Sequence, residues 1–288
     1  MLLNQLKTVL LLGTLSAILF LFGYWFGGTH GLMMMFIMSI LMNFFAYFYS
    51  DRMVLAMYGA KPLDKSKFAN IYEMVEELCF QAQLPMPKLW YIATPMANAF
   101  ATGRNPEHAS VAVTQGILDI LDENELRGVL AHEISHVKNR DILVATVAAT
   151  IATAIGYLAH MLQWAAIFGG VRNRDGERGS GIGAIFAAII MPIAATLIQL
   201  AISRSREYLA DETGAKTCHD PLALASALEK LHGSAKSQHR TPTTPVESTT
   251  ASLFIVNPFT ASKMVNLFST HPPMEKRVER LRAMAMKR

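Results

Sequence analysis

Charge is missing from a long first stretch of this chain: between Lys7 and Asp51, 43 consecutive residues contain no Asp, Glu, Lys or Arg. A bilayer's hydrocarbon core takes about 20 apolar residues of helix, so the stretch holds two spans and a tight reversal. We place them at about Thr8 to Phe26 and Leu32 to Ser50, with Gly27, Gly28, Thr29, His30 and Gly31 as the turn. A signal peptide is the alternative for the first, but its apolar stretch is too long and no small-residue cleavage site precedes the next apolar run. Both helices are therefore expected to be retained. A second pair of charge-free stretches gives spans at about Leu143 to Phe168 and Ile182 to Ile202. Pro192 inside the fourth is tolerated where neighbouring helices re-satisfy freed backbone groups. His160 and Gln163 are polar intrusions in the third, which a hydrogen bond to a neighbouring helix accounts for as readily as a site.

The remaining segments, 51–141 and 203–288, carry the polar patterning of folded domains. From Lys65 to Gln83 the apolar positions Phe68, Ile71, Tyr72, Val75, Leu78 and Cys79 recur at helical spacing, and Pro85 and Pro87 end the run. Lys88 to Ala93, Asn98 to Thr102 and Ser110 to Val113 predict short strands around a turn marked by Gly103 and Pro106. Gln115 to Leu121 predicts a short helix. Asp122 with Glu125 three residues on predicts a capped start for the next one. Pro221 to His232 is helical by the spacing of Ala223, Leu224, Ala227, Leu228 and Leu231. The Ser-, Thr- and Pro-rich Gly233 to Ser252 predicts a loop. Met274 to Met286 is a basic amphipathic helix with Val278, Leu281 and Met284 on one side, expected to dock on the folded domain.

Composition sharpens this picture, since 52% hydrophobic and 17% charged residues are unusual for a soluble protein. Basic residues flank the spans at Lys7, Arg52, Lys61, Lys65, Lys67, Lys138, Arg140, Arg204, Arg206 and Lys216, which favours the cytoplasm for the folded segments. Arg172, Arg174 and Arg178 between the later spans run against that rule. A full crossing and a hairpin shielded by protein both remain open there. Cys79 and Cys218 lack CxxC spacing and fit a reduced compartment without a disulfide. The formal net charge of +4 suits anionic lipid headgroups as well as any partner, and no stacking or basic-aromatic module argues for nucleic acid.

Chemistry concentrates in Ala131 to Asn139, AHEISHVKN. His132 and His136, four apart on a helix, share a face and can share one metal ion, while Glu133 projects beside it. Zinc with one open position lowers the pKa of a bound water to about 7, and an adjacent carboxylate can take its proton. The pattern also arises by accident, with the histidines as surface or core residues, so a third ligand is required. In SRSREYLADET, from Ser203 to Thr213, Glu207 and Asp211 are again four apart. Glu207 can complete the metal set, and Asp211 can accept the free ring N–H of a ligand histidine. Alone, this cluster reads first as an ordinary solvated face beside Arg204 and Arg206; coupled to HEISH, it reads as the missing donor.

HEISH, NAFATG at Asn98 to Gly103, SRSREYLAD and STHPP at Ser269 to Pro273, in this order and over nearly the whole chain, resemble the HtpX family of membrane-embedded zinc metalloproteases. That family is more distantly similar to the CAAX prenyl proteases. The resemblance implies one zinc per chain on His132, His136 and Glu207, a bacterial inner-membrane location with the site facing the cytoplasm, and damaged or misfolded membrane proteins as substrates. A strand edge can hold an extended substrate by main-chain hydrogen bonds. By resemblance NAFATG is that edge, making Asn98, Ala99 and Phe100 substrate-binding positions. The resemblance also makes His271 an active-site donor to the tetrahedral intermediate.

The expected fold is thus a mainly α membrane protein of about four transmembrane helices with an α+β, zincin-like catalytic domain carrying a small sheet. The parts are a hairpin at 1–50, a first catalytic part at 51–141, a second hairpin at 142–202 and a second catalytic part at 203–288. The expected partners are the lipid bilayer and membrane-protein or unfolded polypeptide substrates, with Glu133 as general base and His271 beside it. Processing of prenylated peptides and a non-catalytic zinc-binding protein are the alternatives.

Overall fold

The computed structural model describes residues 2–153, 155, 204–238, 250, 253–256 and 272–286. Helix α1 runs over Leu2–Phe48 and is broken at Gly28, whose φ of 55° and ψ of −138° reverse the chain. That conformation is open to glycine and strained for other residues. The reversal expected over Gly27 to Gly31 is concentrated at this one residue, because its neighbours keep helical hydrogen bonds. Both halves are long and apolar enough to cross a membrane, at Asn4–Leu21 and Gly27–Phe48. The second half leaves Met33, Met34, Phe36, Ile37 and Ile40 largely exposed, an apolar surface that a watery environment disfavours.

A short helix α2 (Ser50–Met57) leads into the folded domain. There β1 (Lys61–Pro62), β2 (Lys88–Ile92), β3 (Ala99–Gly103) and β4 (Ala109–Thr114) form a mixed sheet in the order β1-β2-β4-β3. Strand β4 pairs parallel to β2 and antiparallel to β3. The three expected strands are present within a residue or two; β1, two residues with a proline, was not foreseen. Helix α3 covers Ala69–Ala82. It starts later than the pattern suggested because Asp64 takes the Ser66 N–H on its side chain and Phe68 N–H on its carbonyl, forming a turn. It stops at Gln83, whose φ is 58°.

Helices α4 (Gln115–Ile120) and α5 (Glu123–Lys138) follow β4. Next come α6 (Ile142–Thr153), α7 (Arg204–Thr217), α8 (Pro221–Gln238) and α9 (Met274–Ala285). One core joins Ile71, Val75 and Leu78 of α3, Val111 of β4, Val129 and Leu130 of α5, Leu224 and Leu228 of α8 and Leu281 of α9. Helix α5 is thereby enclosed on most sides. A separate apolar cluster packs Leu11, Leu15 and Ile18 of α1 against Val144, Val147 and Ile151 of α6. Most of the expected third span, the fourth with Pro192, His160, Gln163 and the 172–178 loop lie outside the described residues.

Candidate active site

Helix α5 begins where Asp122 and Glu125 predict. The Glu125 N–H donates to Asp122 Oδ1 and the Asp122 N–H to Glu125 Oε2, each at 3.0 Å. Glu125 is also buried against Ser226 and Lys230 of α8, both donating at 2.6 Å. The helix is therefore pinned at its start and cannot slide along its neighbours. Two turns on, α7 crosses α5 closely: a Cβ on Gly214 would lie 2.9 Å from the His132 nitrogen. This close approach brings the acids of α7 against the histidines.

His132 Nε2 and His136 Nε2 lie 3.2 Å apart, and the Glu207 carboxylate approaches them at 3.8 and 3.7 Å. A tetrahedral ion with bonds of about 2.0–2.1 Å separates its ligand atoms by about 3.3 Å. The three groups thus need only slight adjustment to hold one ion. The far ring nitrogens agree with this reading. His132 Nδ1 is 3.0 Å from Asp211 Oδ1, and His136 Nδ1 is 3.2 Å from both oxygens of Asp141. Carboxylates there favour a proton on Nδ1, so that a cation displacing the proton from His136 Nε2 meets lone pairs on both Nε2 atoms beside Glu207. A cation answers that convergence, so these residues fit a metal. The Asp211 contact is short but off the line of the ring N–H, which makes it a close electrostatic contact more than an aligned hydrogen bond.

The acids are themselves held. Arg277 of α9, 0% exposed, grips Asp211 with Nε at 2.8 Å and Nη2 at 2.6 Å, and its Nη1 donates to the Ile255 carbonyl at 2.9 Å. Burial opposes ionisation of Asp211, but Arg277 and His132 outweigh it and bring its pKa down to about 2. Burial also disfavours a charged His136, yet Asp141, Glu207 and Glu133 push its pKa up to about 10. His132 is lowered, chiefly by burial, with Asp211 working the other way.

Glu133 is 3% exposed, and its Oε2 accepts the Ala101 N–H of β3 at 2.9 Å. Burial, with Glu207 adding to it, raises its pKa to about 8 against the pull of His136 and the Ala101 N–H. A carboxyl poised near neutrality suits proton transfer. Strand β3 is the sheet's edge. Thr114 N–H donates to the Asn98 carbonyl, so by antiparallel alternation the main chain of Asn98 and Phe100 faces β4 while that of Ala99, Ala101 and Gly103 faces outward. The three expected substrate positions therefore differ. Phe100 is core, packed on Tyr58 and Phe254, and Asn98 Oδ1 receives the Ile255 N–H at 3.3 Å. Only Ala99 turns its main chain away from β4, as Ala101 does, and both residues are buried.

Asp141, Ala101 and Arg277 join the site without being among the residues expected there. Asp141 stands where an acid before an apolar run reads as the cap of α6. Arg277 lies four residues before Leu281 and so on the buried face of α9, a position at which a cation needs an acid. His271 lies outside the described residues.

The model for peptidase family M48 matches residues 65–285. Relatives named protease HtpX homolog align over almost the whole length. The one from Syntrophobacter fumaroxidans is 52% identical over 98% of this chain and 99% of its own, and the one from Pyrococcus furiosus 50% identical over 97% and 96%. A crystal structure of S. mikatae Ste24p superposes with a TM-score of 0.50 at 16% identity, over 97% of this chain and 65% of that one. This likeness concerns the fold.

Proposed function

This chain belongs to peptidase family M48 and, within it, to the HtpX proteases; from that premise we propose a multi-pass, zinc-dependent endopeptidase of the bacterial inner membrane whose site faces the cytoplasm. It is a metallopeptidase by family and carries two helices fit to cross a membrane. The observation that supports the finer reading most is the convergence of His132, His136 and Glu207 with donor atoms all within 4.8 Å of one another. His132, His136 and Glu207 would hold the zinc. When bound, zinc polarises the scissile carbonyl and acidifies water. Glu133 takes the proton of the attacking water and returns it to the leaving amine, while the Ala101 N–H fixes one carboxylate oxygen and leaves the other free for the proton. Asp211 and Asp141 set the orientation of the two imidazoles. An extended polypeptide adds to β3 through the outward main chain of Ala99 and the Ala101 carbonyl. His271, by family resemblance alone, donates to the developing oxyanion.

The substrates are damaged or misfolded membrane proteins cut in cytoplasmic segments, or other unfolded polypeptides; nucleic acid is not a partner. The likeness to Ste24p does not bring prenyl-peptide processing to this chain. Glu133→Gln tests the reading: zinc stays stoichiometric and casein cleavage drops by about 10²- to 10⁴-fold. Turnover equal to the parent's removes Glu133 as base, and loss of zinc from Glu207→Gln with retention in Glu133→Gln supports the assigned ligand set.

A further inference from the structure

The second half of α1 ends in the exposed aromatic side chains of Phe44, Phe45 and Phe48, and Tyr49 follows at the start of α2. The rings of Phe44 and Phe48 pack at a tilt, 4.8 Å between centroids. Tyr47 and Tyr49, exposed beside them, are of the amphipathic kind that settles at the boundary between acyl chains and headgroups. Just past the band, the Arg52 guanidinium lies 5.5 Å from the Tyr49 ring centre and that of Arg104 lies 5.4 Å from Phe48. With Lys88, the two arginines line a cleft of about 220 Å³ floored by Phe44 and Phe48. Asp51 and Glu107 line it as well. Among the described residues none of the three cations forms an ion pair, although two acids share the cleft. The catalytic machinery uses none of these groups.

Three cations and two acids around one opening call for an occupant bearing both signs. Its location at the end of a membrane-length apolar helix calls for acyl chains below. We propose that the cleft binds the headgroup of phosphatidylethanolamine, the phosphate among Arg52, Lys88 and Arg104 and the ammonium toward Asp51 and Glu107. This rests on the reading that the α1 helices lie in a bilayer. An acidic peptide would satisfy the cations but leave the aromatic band bare. Arg104 directly follows β3, whose edge lies beside Glu133. A headgroup held there fixes the height of the substrate edge above the bilayer and makes lipid part of the enzyme's working geometry.

The test uses the full chain in detergent micelles with phosphatidylethanolamine, phosphatidylglycerol or phosphatidylcholine added, counting retained lipid by native mass spectrometry. The parent keeps one phosphatidylethanolamine in preference to the others. Arg52→Gln combined with Arg104→Gln weakens retention by about tenfold or more, as expected for removing two surface cations near a lipid phosphate. The thermal transition and zinc content stay unchanged, and Lys65→Gln changes nothing. Equal retention of all three lipids, of phosphatidylglycerol over phosphatidylethanolamine, or of phosphatidylethanolamine by parent and double variant alike, overturns the proposal. Carbonate extraction of cell membranes separates the two readings: a chain released by carbonate removes the bilayer premise, whereas a chain that stays embedded but holds no lipid removes the headgroup site alone.

Discussion

Arg277 and Asp211 meet in the interior through two hydrogen bonds of 2.6 and 2.8 Å, and Asp211 in turn lies 3.0 Å from His132. The last described helix is thereby tied to the first histidine of the candidate metal site through one carboxylate. Arg277→Met leaves that carboxylate buried without its partner, and breaking such a pair costs about 3–5 kcal/mol. A large fall in the thermal transition is expected, with Arg277→Lys milder because it keeps the charge while losing the planar fork. A parent-like transition for Arg277→Met contradicts the relationship.

Asp141 orients His136 from beyond the end of α5, so Asp141→Asn weakens zinc without touching a ligand. The expected loss is about 10- to 100-fold in affinity, read by competition with a chelator of known strength. Unchanged affinity assigns Asp141 to capping α6 only.

Protons compete with the metal. With its pKa up near 10, His136 is protonated in the metal-free protein at neutral pH, and the metal must displace that proton. Because the folded pKa lies above the ordinary histidine value, the proton is held throughout the neutral range and is lost only as pH rises toward 10. Zinc affinity should therefore increase as pH rises through neutrality, with release of about one proton per site. Calorimetry in buffers of different ionisation enthalpy measures that release, and a value of zero contradicts the protonated state.

Gly214 sets the distance between the two helices that share the ligands. In Gly214→Ala the new carbon meets the His132 nitrogen at 2.9 Å and its Cα at 3.0 Å, and both are backbone atoms without room to turn aside. Overpacking of this kind costs about 1–3 kcal/mol. Zinc content should fall together with the thermal transition. Full occupancy and an unaltered transition would mean that α7 can move away freely.

Local chemistry was legible wherever one segment carried it. HEISH, the Asp122 and Glu125 cap, the strand pattern and the two N-terminal apolar helices all express short-range periodicity or spacing. The approach of Glu207 to the two histidines was legible as well, because a pair of this spacing calls for a third donor. Arg277 and Asp141 were not, since their roles arise from contacts made after folding: one from the far end of the chain, the other from a turn at which Arg140 has a φ of 55°. Phe100 shows the opposite case. By resemblance the motif that contains it is a substrate edge, yet strand alternation turns its side chain into the core and its main chain toward β4. A family motif specifies a segment, and only pairing decides which of its residues look outward.

The packing of Leu11, Leu15 and Ile18 on Val144, Val147 and Ile151, together with the Asn4 side chain donating to the Arg140 carbonyl at 3.0 Å, carries the anchor right up to the residue that orients His136. On the proposed reading, hydrolytic competence and residence in the membrane are then one mechanical unit. Trimming the leading hairpin would uncover α6 and loosen Asp141 with it, so a form of this peptidase nicked or shed there would come away disarmed.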